Sequence, residues 1–169
     1  MTVINFDILP HQLQFMQSQH RYSALVGGFG CGKSVAVALK VWRLAHQNPG
    51  LSGMLVSRSA TQLRKLITEC HMVFRSLGLR YAMRGHDEIH IEVGDRTSIV
   101  YLGTAENRSY ERWAGGNLAF VVIDEFDTIN RAVDVWSFAN DRVRVAGAGL
   151  LQTAIATTPE GYGATWAFF

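Results

Sequence analysis

Cysteine is scarce in this chain, with two in 169 residues, Cys31 and Cys70. They show no metal-type spacing, which removes a disulfide framework and a structural zinc site from consideration. An excess of charge of one sign is also missing. The formal net charge is +2, so there is no global basic footprint for nucleic acid, and any such contact would be local or lie outside this sequence. No apolar run approaches the ~18 residues that mark a membrane helix, and no charged-then-apolar leader opens the chain, so neither a membrane span nor a signal peptide is visible. Internal repeats and low-complexity tracts are absent. Against these absences stand 48% hydrophobic and 18% charged residues, an ordinary globular composition with enough length for one domain and a real core.

The most informative stretch runs over residues 22–41. Its centre, Gly27-Gly28-Phe29-Gly30-Cys31-Gly32-Lys33-Ser34, reads G-x-x-x-x-G-K-S, the phosphate-binding loop. The glycines let the backbone turn tightly and bring N–H groups close to phosphate oxygens. A helix starting near Lys33 points its positive end at the same oxygens. Lys33 is placed to reach the β- and γ-phosphates of ATP, and the Ser34 hydroxyl to ligate Mg²⁺. Ser23-Ala24-Leu25-Val26 reads as the buried strand before the loop, and Val35, Ala36, Leu39, Val41 and Trp42 fit a packed helix after it. A disulfide at Cys31 would hinder nucleotide entry, so a reducing cytosol is the simpler setting.

Upstream, residues 9–16 read as a short helix with Pro10 near its start. Gln12 in it has two readings: an amide that matches the donor and acceptor of adenine, or a solvated helix glutamine. Asn48-Pro49-Gly50 stops the second helix. Residues 53–57 form a second strand with Arg58 at its end. Leu63, Leu66, Ile67, Cys70, Val73, Phe74 and Leu77 then make a helical core stripe, with Ser59 as N-cap and Gly78 after its end. Residues 89–93 and 98–102 read as a β-hairpin around Gly94-Asp95-Arg96, with His86 and His90 facing solvent. Residues 103–117 are loop-like and carry Arg108 and Arg112. That loop contacts phosphate or a neighbouring subunit, or is plain surface.

Residues 118–123 are six apolar residues, as a central parallel strand requires, and Asp124-Glu125 follows at the carboxyl end, where ligands bind in open α/β sheets. Asp124 is expected to hold Mg²⁺, through water. Glu125 is expected to orient and deprotonate the attacking water. Lys33 and this acidic pair are expected on neighbouring strand tips. No Asn-Lys-x-Asp guanine reader occurs, and a hydrolytic glutamate does not suit a small-molecule kinase, so the pair favours ATP hydrolysis coupled to motion. A helix over residues 129–145 and a strand over 150–156 follow. Thr157 and Thr158 at that strand end could sense the γ-phosphate, or Thr158-Pro159-Glu160 could start a helix.

With these residues in place, the chain resembles the ATPase domain of tailed-bacteriophage terminase large subunits, over nearly all its length. The phosphate loop alone is widespread, but the combination is more specific. Leu9-Pro10-His11-Gln12 looks like the family's upstream adenine motif. Val56-Ser57-Arg58-Ser59 with Gln62-Leu63-Arg64 looks like the stretch after its second strand. Val122-Ile123-Asp124-Glu125 and Ala156-Thr157-Thr158-Pro159 look like its acidic and coupling motifs. The resemblance implies a RecA-like (ASCE) P-loop NTPase fold, and ATP-driven translocation of double-stranded DNA into a procapsid. It further implies a homo-oligomeric ring working with a portal protein and a small terminase subunit, in the cytoplasm of an infected bacterial host. Many members carry an arginine inside the phosphate loop, where this chain has Phe29 and Cys31. An arginine finger must then come from elsewhere, Arg58 first and Arg112 second, acting on a neighbouring subunit's ATP.

The expected architecture is α/β, a mostly parallel twisted sheet with helices on both faces and an inserted β-hairpin. Residues 1–169 are expected to form one ATPase domain of a longer chain, whose apolar Trp166-Ala167-Phe168-Phe169 ending looks cut. No carboxylate cluster for two-metal DNA cleavage is visible, so no nuclease activity is expected from this sequence. Two rival functions remain at this stage. One is a RecA-like helicase or recombination ATPase, stimulated by single strands or forks rather than by duplex DNA. The other is a nucleotide-binding ring-assembly module, which would not need Glu125.

Overall fold

A computed structural model describes residues 7–169. One seven-stranded sheet runs through it in the order β1-β7-β6-β2-β5-β4-β3. The strands are β1 (Tyr22–Val26), β2 (Ser52–Ser57), β3 (Tyr81–Arg84), β4 (Glu88–Val93), β5 (Arg96–Thr104), β6 (Phe120–Asp124) and β7 (Gln152–Thr157). The five strands from β1 to β5 in that order pair in parallel, and β5-β4-β3 continue as an antiparallel meander. The expected hairpin is therefore the β4–β5 pair, and its second strand also joins the parallel core.

Burial follows the sequence pattern. All residues of β6 and β7 are buried, as strands covered on both faces must be. Phe120 and Val122 face one core with α1 (Pro10–Gln17), α2 (Lys33–Gln47) and α3 (Ala60–Ser76). Val121 and Ile123 face the other, with α4 (Ala132–Arg142) and the 3-10 turns η1 (Ser109–Trp113) and η2 (Phe126–Thr128). Gly53 of β2 lies against the Phe120 ring, where any Cβ would collide. The α3 stripe is core as expected, with Leu63, Leu66, Cys70, Val73 and Phe74 buried, each contributing on the order of 1.5–3 kcal/mol for the larger side chains. Ser59 caps α3 by accepting from the Gln62 N–H at 3.3 Å.

Several expectations need correction. β3 is an extra strand that the sequence pattern did not show, because its four residues are half-exposed at the sheet edge. α4 starts at Ala132, not at residue 129, because the chain after β6 first closes the turn Phe126–Thr128. His90 is half-buried and paired with Glu88 at 2.7 Å, while His86 faces solvent. The tips of β1 and β6 are not neighbours, since β7 lies between them. Among the described residues no helix is long and apolar enough to cross a membrane.

Candidate active site

The site forms at the carboxyl ends of the parallel strands. Just past β1, the Gly27 N–H donates to the Thr157 carbonyl of β7 at 3.1 Å. The loop then passes through left-handed backbone at Gly30 (φ 76°) and Gly32 (φ 79°), which a Cβ would penalise by about 1 kcal/mol or more each. Gly32 is the N-cap of α2 and offers no side chain to it, so the N–H groups of the first turn stay available to an anion. Lys33 is buried, and its Nζ donates to the Gly27 and Gly28 carbonyls at 3.0 and 2.9 Å. The ammonium is thus held within the curve of the loop. Phe29 stands on the outside, 90% exposed.

Helix α1 braces the loop from behind. The Gln12 amide nitrogen donates to the Gly32 carbonyl at 2.9 Å, and its oxygen accepts from the Leu9 N–H at 2.9 Å. His11 Nε2–H donates to the Cys31 carbonyl at 2.8 Å. Gln12 is 4% exposed, so the solvated reading of this residue does not hold. The helix is itself anchored by Lys40 of α2, which is fully buried and donates to the carbonyls of Phe15 (2.9 Å), Met16 (3.4 Å) and Ser18 (3.1 Å). Burial, with Arg43 nearby, lowers its pKa to about 8.

The acids sit across from the loop. Asp124 ends β6, is 6% exposed, and its Oδ1 has no hydrogen-bond partner. Burial first, and the neighbouring Glu125 second, raise its carboxyl to about 7, while Lys33 pulls the other way. Glu125 takes the left-handed conformation (φ 53°, ψ 45°). Ser34, Asp124 and Glu125 line one cavity of about 310 Å³, together with Gln62, Lys65, Leu66 and Glu69 of α3. Among the described residues no group of three or more His, Cys, Asp or Glu side chains is placed to hold a metal. Magnesium does not require one, since it keeps several waters and takes one or two protein ligands beside phosphate oxygens. A buried carboxylate oxygen without a partner, sharing a cavity with a serine hydroxyl, fits that demand.

A family model described as "Terminase large subunit, T4likevirus-type, N-terminal" matches residues 24–168. The chain belongs to the terminase large subunits. Solved terminases share its fold. The large terminase of a thermophilic bacteriophage aligns with a TM-score of 0.76 at 20% identity, over 90% of this chain and 39% of that one. The same phage protein in complex with ATP-γ-S aligns at 0.75 and 19% identity, over 90% and 38%. The ATPase domain of the Thermus phage P74-26 large terminase aligns at 0.76 and 20%, over 98% and 70%. This terminase chain therefore spans 39% of the length of the first of these relatives. No curated protein matches it in sequence.

The remaining site residues of this terminase lie further out. Arg58, exposed at the end of β2, lines a separate cavity of about 260 Å³ with Arg108, Arg131, Asp134 and residues of the α4 face. It does not share the cavity of Ser34 and the acids. Arg112 pairs with Asp87 in the β3–β4 turn at 3.5 Å. Thr157 is fully buried, and its hydroxyl accepts from the Asp127 N–H at 2.9 Å and donates to the Thr158 carbonyl at 3.1 Å. The Thr158 hydroxyl is buried without a partner. Sequence reasoning gave no site role to Gln62, Lys65 and Glu69. Their spacing of three and four places them on one helical face beside the apolar stripe, a signal that was available. It gave no role of its own to His11 beyond the motif that contains it, nor to Asp127; their partners lie 20 and 30 residues away in sequence.

Proposed function

We propose that residues 1–169 form the ATP-hydrolysing motor domain that drives double-stranded viral DNA into a procapsid. The observation that carries this reading is the meeting of Ser34, Asp124 and Glu125 in one cavity beside the loop that holds Lys33. Lys33 and the loop N–H groups hold the β- and γ-phosphates of ATP. Ser34 and Asp124 hold Mg²⁺, which when bound neutralises charge on the phosphate oxygens. Glu125 takes a proton from water at its carboxylate as the water oxygen bonds to the γ-phosphorus. The bond to the β–γ bridging oxygen breaks and ADP leaves. Gln12 contributes by holding the Gly32 carbonyl, and reading adenine would require its amide to give up that bond or share it.

The terminase family and the nucleotide-bound relative support ATP as the substrate. The further partners are double-stranded DNA, the portal protein, the small terminase subunit and identical neighbours in a ring, in the host cytoplasm. Arg58 is the first candidate to act on a neighbour's ATP, because it is exposed and lies outside its own subunit's acidic cavity. Arg112 is second, since Asp87 already engages it. No nuclease activity is expected from this chain alone. The test is Glu125→Gln: the variant should bind ATP normally and hydrolyse it on the order of 10²-fold or more slowly. Turnover near that of the wild type would remove Glu125 from its role, and with it the hydrolytic reading.

A further inference from the structure

We infer that Asp127 is a positioning residue that ties the catalytic turn at Glu125 to residues 158–168, the segment that leaves β7. The inference rests on the reading of Glu125 as the base. Glu125 is held in a left-handed conformation (φ 53°) that few residues with a side chain adopt. Something must hold it there. The Thr128 N–H and hydroxyl both donate to the Glu125 carbonyl, at 3.0 and 2.8 Å. Two residues after Glu125, the Asp127 N–H donates to the Thr157 hydroxyl at 2.9 Å. The Thr157 carbonyl in turn accepts from Gly27, the first residue of the phosphate loop, at 3.1 Å. One threonine thus joins the loop that carries phosphate and the turn that carries the base.

The Asp127 side chain continues the connection outward. Its Oδ1 accepts from the Thr165 N–H at 2.7 Å, and its Oδ2 from the Glu160 N–H at 3.4 Å. Gly163 passes so close that a Cβ built there would lie 3.0 Å from both Cγ and Oδ1 of Asp127. The carboxylate is therefore gripped by backbone on a segment that is otherwise mostly exposed. Gly27, Thr157, Asp127 and Thr165 form an unbroken hydrogen-bonded path. A shift of the loop or of the base between nucleotide states moves the N–H groups of residues 160–165 through bonds rather than through loose contact. A plain cap of the short helix α5 (Ala164–Phe168) would use the same Oδ1 bond. It would not join that helix to Glu125 and to the phosphate loop at once.

Two variants and one exchange measurement on the full chain test this. Asp127→Ala removes the carboxylate but keeps the backbone N–H that meets Thr157. Gly163→Ala disturbs the same contact from the other side. Each should lower kcat by about 10- to 100-fold, as a small misplacement of a catalytic group does, with KM for ATP unchanged. In the wild type, amide hydrogen exchange at Glu160 and Thr165 should differ between the ADP and ATP-γ-S states, and Asp127→Ala should abolish that difference. A wild-type kcat in either variant, or equal exchange in both nucleotide states, overturns the inference. If Glu125→Gln is inactive while Asp127→Ala runs at full speed, the positioning role alone fails. If Glu125→Gln hydrolyses normally, the base assignment fails and this inference falls with it.

Discussion

Asp124 carries a burial cost that a proton or a bound cation relieves. Its Oδ1 is buried without a partner, and its carboxyl is raised from 3.8 to about 7 by burial and by Glu125. The folded, metal-free protein then holds this proton more tightly than the unfolded chain does. The stability it contributes is complete below about pH 4 and is lost as the pH rises through 7. Asp124→Asn, which cannot ionise, should therefore melt at a higher temperature than the wild type at about pH 8 without metal. An equal or lower melting temperature would contradict the burial cost. At the proposed Mg²⁺ site proton and metal would compete for the same oxygens, so Mg²⁺ affinity should climb about tenfold per pH unit up to pH 7 and then level off, as titration calorimetry would read. At this scale the sequence was legible where chemistry dictates residue type: the glycines, Lys33, Ser34 and the acidic pair. It was not legible for Gln12, because nothing within the helix reveals that its amide meets Gly32, 20 residues on.

Helix α1 reaches the loop through His11 and Gln12 but rests on Lys40, whose ammonium is shared among the carbonyls of Phe15, Met16 and Ser18. Lys40→Met keeps the length and removes the donor. It should cost about 1–3 kcal/mol in denaturant unfolding. It should also raise KM for ATP more than it lowers kcat, because the brace behind the loop loosens while the acids stay in place. Equal stability and unchanged KM would show that α1 does not depend on this contact. Elements with strong periodicity were readable from the chain: α2, α3, the β4–β5 pair and the apolar strand β6. Those set by tertiary neighbours were not. β3 exists because the sheet edge offers β4 as a partner. The start of α4 is delayed because the Glu125 carbonyl accepts from Thr128 and closes a tighter turn first.

Across the whole molecule, the parallel strands deliver their carboxyl ends to one rim, where the loop, the acids and Arg58 all lie. The two cavities on that rim share no lining residue. That separation argues for Arg58 working between subunits. On the proposed reading of this chain as one subunit of a DNA-driven ring, Arg58→Ala should reduce DNA-stimulated phosphate release on the order of 10³-fold with ATP binding intact. A variant that keeps full turnover would shift the role to Arg112 or elsewhere. The end of the sheet at which the site lies was legible, since loop and acids each follow an apolar strand. The order of the strands was not, because hydrophobic pattern says which strands are covered and not which lie side by side. That order has a consequence for how the protein is made. Among the described residues β1 pairs only with β7, yet β7 comes after the other six strands in chain order. Until residue 157 has emerged, the nascent chain holds the two halves of its catalytic centre with a strand-wide gap between them. A polypeptide stalled short of that point should be unable to grip nucleotide.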